Sequence, residues 1–271
     1  MKKSLLILFL FAFISFSCKS DKKEMDSTNN IEAITDSIIP AEKKSLSEIK
    51  IKPINHASFI LEYEDIVIYV DPVGGPEVYK DEKPPSAILV TDIHGDHFDL
   101  ETFLAVMTDS VQPIVTVDVA IKIPDSVKYN LFAPKNSHSI NYRKAGLDLV
   151  VYVVPMYNLR EEAKHFHPKG RGNGYVLELG GKRIYISGDT EDIPEMRSLK
   201  DIDIAFVCMN LPYTMSVESA ASAVLDFKPK QVYPYHYKGT DGFSDVEKFK
   251  SLVNEGNKNI EVIQLDWYKN Q

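Results

Sequence analysis

An apolar, strand-like run that ends in acidic residues and histidines places the strongest constraint on this fold. The run Ile88 to Val90 leads directly into a glycine-containing turn. A buried strand that ends in this way presents its next side chains at the edge of the sheet. Six residues of the turn contain four candidate metal ligands: Asp92, His94, Asp96 and His97. Imidazole and carboxylate suit Zn²⁺ and its first-row neighbours, so the stretch predicts a metal site; the alternative is a turn with a solvated histidine pair.

Further candidate ligands follow other strand-like runs. The runs and ligands are Leu147–Val154 before Asn158, Arg183–Ser187 before Asp189, and Gln231–Tyr235 before His236. Strands that end at one edge of a rigid sheet bring such side chains together from distant sequence. Asp71, after Ile66–Val70, either accepts the ring N–H of a metal-bound histidine or belongs to an Asp-Pro turn. His56 caps a turn or reaches the same site.

A long, locally basic loop is predicted between Leu159 and Gly174. A loop of this length without secondary structure is usually a lid or a binding loop. Its side chains Lys169 and Arg171 suit phosphate or carboxylate, although a solvated basic loop has the same composition. The candidate substrate contacts are Tyr157, His167, Lys169, Arg171 and Tyr213.

Regular elements are predicted around these sites. Asp99 and Ser216 are candidate N-caps of helices at 100–107 and 217–227, and a third helix is predicted at 244–253. A hairpin is expected to turn at Gly180-Gly181. Strands are predicted at 113–117 and 260–265, with short strands and turns over 119–141.

Five phrases of the sequence carry a family resemblance. They are Pro155-Met-Tyr-Asn158, Phe166-His-Pro-Lys-Gly170, Ser187-Gly-Asp-Thr190, Tyr213-Thr-Met215 and Pro234-Tyr-His236. With the turn after Val90 they make residues 49–271 resemble the metallo-β-lactamase-fold hydrolases. More closely, they resemble the generic metal-dependent hydrolases related to ascorbate-6-phosphate lactonase and to phospholipase-D-type phosphodiesterases. The resemblance implies an α/β (α+β) fold: a four-layer αββα sandwich of two mixed β-sheets with helices outside.

The resemblance also implies a ligand set, with two departures. Asp96, His97 and His236 resemble second-site ligands, Asp189 resembles the carboxylate that bridges two metals, and His94 resembles a first-site histidine. Asp92 replaces the first histidine of the His-x-His-x-Asp-His signature, and Asn158 stands about where the third first-site histidine would be. Three completions are open: harder ligands that favour Mn or Fe over Zn, His165 or His167 from the loop, or one metal at Asp96, His97, Asp189 and His236. We expect two metals rather than one.

The implied chemistry is metal-dependent hydrolysis of a small molecule. A metal-activated water attacks an ester, lactone, amide or phosphodiester, and Asp96 and Asp189 are the predicted catalytic carboxylates. The basic side chains of the loop at 159–174 favour an anionic substrate. Departures at Asp92 and Asn158 motivate a rival, a non-catalytic metal- or ligand-binding lipoprotein that retains the fold. A di-iron oxidoreductase of the same fold is a third interpretation.

The N-terminal residues predict export. Lys2 and Lys3 precede the apolar run Leu5–Phe16, which is short for a membrane span. We predict a signal peptide at 1–17, a lipidated Cys18, a flexible tether at 18–48 and a hydrolase domain at 49–271. Because Phe16 is bulky, ordinary signal cleavage and retention of the segment as an N-terminal anchor are the alternatives. We therefore predict an exported lipoprotein that is anchored to the membrane by its N-terminal lipid, at the periplasmic face or at the cell surface. A net charge of -8 argues against nucleic acid as a partner.

Overall fold

The structure, a computed structural model of the chain, describes residues 48–135, 139–144 and 147–269. The strands are β1 (Lys50–Asn55), β2 (Ser58–Tyr63), β3 (Ile66–Val70), β4 (Ala87–Leu89), β5 (Gln112–Ile114), β6 (Ser139–Lys144), β7 (Leu147–Met156), β8 (Gly172–Leu179), β9 (Lys182–Ile186), β10 (Ile204–Cys208), β11 (Gln231–Tyr235), β12 (Lys238–Gly239), β13 (Gly242–Phe243) and β14 (Glu261–Val262). The α-helices are α1 (Leu100–Val106), α2 (Val117–Lys122), α3 (Pro194–Arg197), α4 (Val217–Phe227) and α5 (Val246–Gly256).

The predicted signal peptide, Cys18 and the tether up to residue 47 lie outside the described residues. Within the described ranges, no helix combines the length and the apolar character needed to cross a bilayer.

The strands form two mixed sheets and a small hairpin. The first sheet has the order β1-β2-β3-β4-β5, and the second has the order β14-β11-β10-β9-β8-β7-β6. Strands β3, β4 and β5 are parallel, as are β9, β10, β11 and β14, whereas the other neighbours within these two sheets are antiparallel. Strands β12 and β13 form the separate hairpin.

The two sheets pack face to face, and helices cover their outer faces. Phe59 of β2 stacks on Phe206 of β10 with ring centroids 4.4 Å apart, inside the apolar cluster that joins the sheets. The next residue, Ile60, points to the opposite face and belongs to a cluster with Phe103 of α1, as the two-residue period of a strand requires. Phe249 of α5 belongs to the same large cluster that joins the sheets, and α5 contacts β14 at the edge of the second sheet. The predicted four-layer arrangement is confirmed.

The parallel strands bring the candidate site residues to one edge. Asp71 follows β3 and the turn of Asp92 to His97 follows β4 in the first sheet, while Asp189 and His236 follow β9 and β11 in the second. Because the carboxyl ends of parallel neighbours lie at the same edge, these side chains converge.

Several predicted boundaries are wrong. Residues 117–122 form the helix α2 rather than strand or turn, because the Thr116 side chain accepts a hydrogen bond from Val119 N and caps a helix. The loop after β7 is shorter than predicted, since β8 already begins at Gly172. The third predicted helix runs from Val246 to Gly256 with Asp245 as its cap. The predicted strand at 260–265 pairs only over Glu261–Val262.

Candidate metal centre

Four side chains from distant parts of the chain meet at this edge of the sheets. They are the predicted second-site ligands and the predicted bridging carboxylate, and they form what we name the second cluster: Asp96, His97, Asp189 and His236. His97 Nε2 lies 3.1 Å from His236 Nε2 and 3.4 Å from Asp189 Oδ1. The distance between Asp189 Oδ1 and His236 Nε2 is 3.2 Å, and Asp96 Oδ2 lies 3.4 Å from that nitrogen. The two histidines are fully buried. Such spacing of imidazole nitrogens and carboxylate oxygens is typical of ligands around one first-row metal ion.

The ring of His97 is oriented from behind by a buried carboxylate. Asp71 Oδ2 lies 2.8 Å from His97 Nδ1, and Asp71 is held in turn by the amide and hydroxyl of Thr91. Because a carboxylate only accepts, His97 Nδ1 carries the proton and the lone pair of Nε2 faces the cluster. Of the two sequence-based interpretations of Asp71, this contact favours the metal-site role.

Three further side chains form the first cluster (Asp92, His94 and His167), whose nearest ligand atoms lie within 4.8 Å of one another. His94 Nδ1 lies 2.8 Å from Asp92 Oδ2, and His167 Nε2 lies 3.9 Å from the same oxygen. His167 comes from the predicted lid loop, which corresponds to the second of the three completions open from sequence. His165 of the same loop packs against Phe166 instead, at 3.9 Å between ring centroids.

Asp189 joins the two clusters through its two carboxylate oxygens. Oδ1 faces His97 and His236, while Oδ2 lies 3.2 Å from His167 Nε2. The Gly188 backbone permits this placement: its φ is +59°, and a Cβ there would lie 2.5 Å from the sulfur of Met156. That sulfur also accepts a hydrogen bond from Asp189 N. The orientation is the one a metal-bridging carboxylate needs.

Arg171 is paired with Asp92 rather than exposed on the lid. Its Nε and Nη2 donate to the two oxygens of Asp92 at 3.1 and 2.9 Å, and Nη2 lies 3.4 Å from His94 Nε2. Asp92 is fully buried, and the Arg171 side chain is 16% exposed. Burial acts to raise the pKa of Asp92, but His94, His97 and Arg171 outweigh it and lower that pKa. The carboxylate that replaces a histidine therefore has its charge compensated within the protein.

Asn158 ties the loop to the site. Its Nδ2 donates to the carbonyls of Ala163 and Tyr213 at 2.9 and 2.7 Å. His167 Nδ1 lies 3.1 Å from the same Tyr213 carbonyl, so Nδ1 is the donor and Nε2 is left to bind a cation. Asn158 as a direct ligand stays a prediction that depends on Oδ1, a buried atom with no hydrogen-bond partner among the described residues.

The donor set fits a bound cation. Buried His167 Nε2 and Asp189 Oδ1 have no hydrogen-bond partner among the described residues, which is costly unless an ion satisfies them. Burial acts to raise the pKa of Asp189, but His236 and His97 outweigh it and hold that pKa well below its usual range. Burial likewise acts to lower the pKa of His97, yet Asp189, Asp96 and Asp71 raise it well above its usual range. The cluster therefore favours positive charge, and metal binding would displace a proton.

Two adjoining cavities give access to the ligands. One of about 220 Å³ is lined by the ligands His94, Asp96, His167 and Asp189 together with Phe166, Asn210 and Tyr213. The other, of about 680 Å³, is lined in part by His56, Asp96, Tyr213, Lys238 and Tyr268. Because Asp96 and Tyr213 line both cavities, a substrate can extend from the ligands into the larger space.

Two predicted substrate contacts do not line these cavities. The Tyr157 hydroxyl donates to Glu195 at 2.9 Å, and Lys169 Nζ lies 3.0 Å from Glu195 and 4.3 Å from the Tyr157 ring centre. Neither Tyr157 nor Lys169 is among the described residues that line the two cavities. Their role in substrate binding stays a prediction, and their contacts favour a structural one.

Sequence reasoning missed Tyr268 entirely and left the role of His56 open. His56 Nδ1 lies 2.7 Å from the Tyr268 hydroxyl, and His56 Nε2 lies 3.5 Å from Asp96 Oδ2. Tyr268 follows the last candidate ligand by more than thirty residues, and no local pattern marks it as part of a site.

A family model described as the β-lactamase superfamily domain matches residues 50–236. The chain belongs to this superfamily. It is 31% identical over 218 residues to a UPF0173 metal-dependent hydrolase of Pyrococcus abyssi, across 76% of this chain and 93% of the relative. The crystal structure of a protein named as a metal-dependent hydrolase from Parabacteroides distasonis has 36% identity and a TM-score of 0.70, across 80% and 93% of the two chains. Igni18, a metallo hydrolase of Ignicoccus hospitalis, has the same fold at 20% identity and a TM-score of 0.67, across 80% and 95%.

Superfamily membership confirms the coarser functional predictions. The chain is a metal-dependent hydrolase with the metallo-β-lactamase fold, and its candidate ligand groups agree with a metal requirement. The rival interpretation, a non-catalytic binding protein, receives no support from relatives named as hydrolases. The metal identity and the individual ligand roles stay predictions.

Proposed function

We propose that this enzyme hydrolyses an ester, lactone, amide or phosphodiester bond of a small molecule, using metal ions held by the two clusters. The observation that carries the proposal is the orientation of Asp189, which directs one oxygen to His97 and His236 and the other to His167. A carboxylate in this position would contribute one oxygen to the ligands of each cluster. Zinc is the expected ion, because neutral imidazoles and carboxylates are its common ligands; Mn and Fe are the alternatives.

The chain's own side chains would divide the work. When bound, the metals supply a Lewis acid and a water of lowered pKa. Asp96 is the ligand most open to solvent, with a side chain 43% exposed, and it lines both cavities. It is therefore placed to orient the attacking water, whereas buried Asp189 holds the two clusters in register. Tyr213 lies where the substrate would pass from one cavity to the other.

The substrate class is proposed from the lining of the larger cavity. Lys238 is a basic residue of that lining, which also contains the acidic residues Asp99 and Glu101. Together with bound metal cations, the Lys238 ammonium supports a substrate with an anionic group. Arg171, the sequence candidate for this role, already donates to Asp92. The resemblance of the sequence to the ascorbate-6-phosphate lactonase and phospholipase-D-type branch supports lactones and phosphodiesters as the first compounds to test.

The test combines metal analysis with a substrate panel. Wild-type protein should contain up to two equivalents of metal and turn over at least one lactone, ester, amide or phosphodiester. Asp189→Asn should lose bound metal and nearly all turnover while remaining folded. The matched control is Asp192→Asn, which changes a nearby carboxylate paired with Arg197. Full activity in Asp189→Asn would refute the assignment.

Export and lipid anchoring are proposed from the N-terminal sequence. The apolar run Leu5–Phe16 and the cysteine at 18 support a lipoprotein whose enzyme domain is tethered at a membrane surface. Incorporation of labelled palmitate into wild-type protein, and its loss in Cys18→Ala, would test this. If wild-type protein incorporates no labelled palmitate, the lipid anchor is refuted.

A further inference from the structure

His56 is not one of the ligands named above, although one of its ring nitrogens lies within 4.8 Å of ligand atoms of Asp96 and His236, so that these three residues form a further candidate ligand group. Its ring packs against the ring of His236 with centroids 3.8 Å apart and an angle of 44° between the ring planes. Its backbone N donates to the carbonyl of Trp267, a fully buried residue. The side chain is 18% exposed and lines the larger cavity. His56 is therefore anchored by the C-terminal segment while its ring edge faces the site.

The hydrogen bonds of Tyr268 determine which nitrogen of His56 carries the proton. The Tyr268 hydroxyl oxygen accepts from the backbone N–H groups of Tyr237 and Lys238, each at 3.1 Å. The Tyr268 hydroxyl still has its own hydrogen to donate, and His56 Nδ1 lies 2.7 Å from the hydroxyl oxygen. A protonated Nδ1 would bring a third donor to this oxygen and leave the hydroxyl hydrogen without an acceptor here. Nδ1 is therefore the acceptor, and a neutral ring carries its proton on Nε2.

The Nε2–H group of His56 faces the carboxylate of Asp96. The distance from Nε2 to Asp96 Oδ2 is 3.5 Å, which a small rotation of the exposed carboxylate would shorten into hydrogen-bond range. Asp96 follows β4 in the same turn as His97, and His97 is already oriented from behind by Asp71. Without a partner, Asp96 would be the less constrained ligand of the pair.

We propose that His56 is a positioning residue for Asp96: Tyr268 fixes the proton of His56 on Nε2, and this N–H holds the Asp96 carboxylate toward the metal position. The inference rests on the proposed metal-binding role of Asp96. Outer partners of this kind commonly change metal affinity or activity by about 10- to 100-fold when they are removed. Residues 50–236, which the superfamily model matches, contain His56 and Asp96, so Tyr268 is a contribution from beyond the matched segment.

The tautomer can be measured directly by nitrogen-15 NMR of histidine-labelled protein, metal-free and loaded with Zn²⁺. The His56 signals, assigned by their loss in His56→Gln, should place the proton on Nε2 in wild-type protein. Tyr268→Phe removes the donor to Nδ1 and should shift the ring toward the other tautomer. Tyr237→Phe is the matched control, because its ring packs 4.9 Å from that of Tyr268 while only its backbone donates to the chain of hydrogen bonds. A proton on Nδ1 in wild-type protein, or an unchanged tautomer in Tyr268→Phe, would overturn the proposal.

Zinc titration against a competing chelator tests the consequence for Asp96. His56→Met keeps the length of the side chain but has no donor, and it should weaken Zn²⁺ binding about 10- to 100-fold. His56→Gln restores an N–H near the position of Nε2 and so keeps the bond to the charged carboxylate. It loses only the neutral hydrogen bond from Tyr268 and should therefore bind within about threefold of wild type. Equal weakening by Gln and Met would mean that the ring matters for packing alone and would overturn the proposal, as would wild-type affinity in His56→Met.

The titration needs no substrate, so it separates this inference from the proposed reaction. Zinc binding with the expected difference between His56→Met and His56→Gln, in a protein without turnover, would contradict the proposed function and support the role of His56. Turnover that is unaffected by His56→Met, with unchanged zinc affinity, would support the function and overturn the positioning role.

Discussion

Removal of the Arg171 charge should destabilise the metal-free protein strongly, because Asp92 would remain charged and buried. The two side chains make contacts of 3.1 and 2.9 Å. Two unit charges at about 4 Å in a medium of effective dielectric constant about 20 attract by about 4 kcal/mol. Measurements in which one partner of a buried ion pair is lost give a similar cost of about 3–5 kcal/mol. Since 1 kcal/mol corresponds to about 2–4 °C in a domain of this size, Arg171→Met should lower Tm by about 8–16 °C.

Thermal unfolding followed by circular dichroism, with chelator and with excess Zn²⁺, measures this cost. The variant Asp92→Asn/Arg171→Met removes both charges and should recover most of the lost Tm. Zinc should stabilise Arg171→Met more than it stabilises wild type, because it returns positive charge to the same carboxylate. The control is Arg183→Met, whose partly exposed pair with Glu178 should contribute under about 1 kcal/mol. A fall of less than about 3 °C in Arg171→Met, or a double variant as unstable as the single one, would refute the reasoning.

Other changes probe the remaining parts of the site. Asp71→Asn removes the charged acceptor of His97 Nδ1–H and should weaken Zn²⁺ binding about 10- to 100-fold, measured by chelator competition. Gly188→Ala places a Cβ 2.5 Å from the sulfur of Met156 and puts alanine at a φ of +59°. We expect the free energy of unfolding, measured with denaturant, to fall by about 1–3 kcal/mol or more; an unchanged unfolding midpoint would contradict this. Burial raises the pKa of Cys208 to about 12, so a Cys18→Ser protein should leave a thiol reagent unreacted at pH 8 until it is unfolded.

Ligands that follow strands could be predicted from sequence, because a strand end fixes both position and direction. Asp189 and His236 each come directly after an apolar run, and the structure brings them within 3.2 Å. His167 lies in a loop without periodicity, so sequence reasoning left it as one of three completions. The pair of Asp92 with Arg171 spans 79 positions, and nothing local in either residue's surroundings specifies that partner.

The fold was predictable where apolar periodicity and caps agree. The α4 helix begins and ends as predicted, since Ser216 supplies its side-chain cap. For residues 117–122 the sequence-based prediction was wrong. Their β-branched residues favour a strand, but the Thr116 cap and the burial of Val119 favour a helix. In such short segments tertiary packing determines whether a helix or a strand forms, and these packing contacts cannot be read from a single sequence.

Backbone strain at strand ends helps to arrange the metal centre before any ion binds. His56, Asp71 and His236 have φ values of +55°, +45° and +48°, and each is the first residue after a strand. A left-handed conformation costs a non-glycine residue of order 1–3 kcal/mol, yet here it turns the side chain into the site, toward Asp96, His97 or the second cluster itself. The other described non-glycine residues with positive φ are solvent-exposed. Since the packed sheets already maintain these conformations, metal binding does not have to order the ligands, and more of the intrinsic affinity remains as net binding free energy.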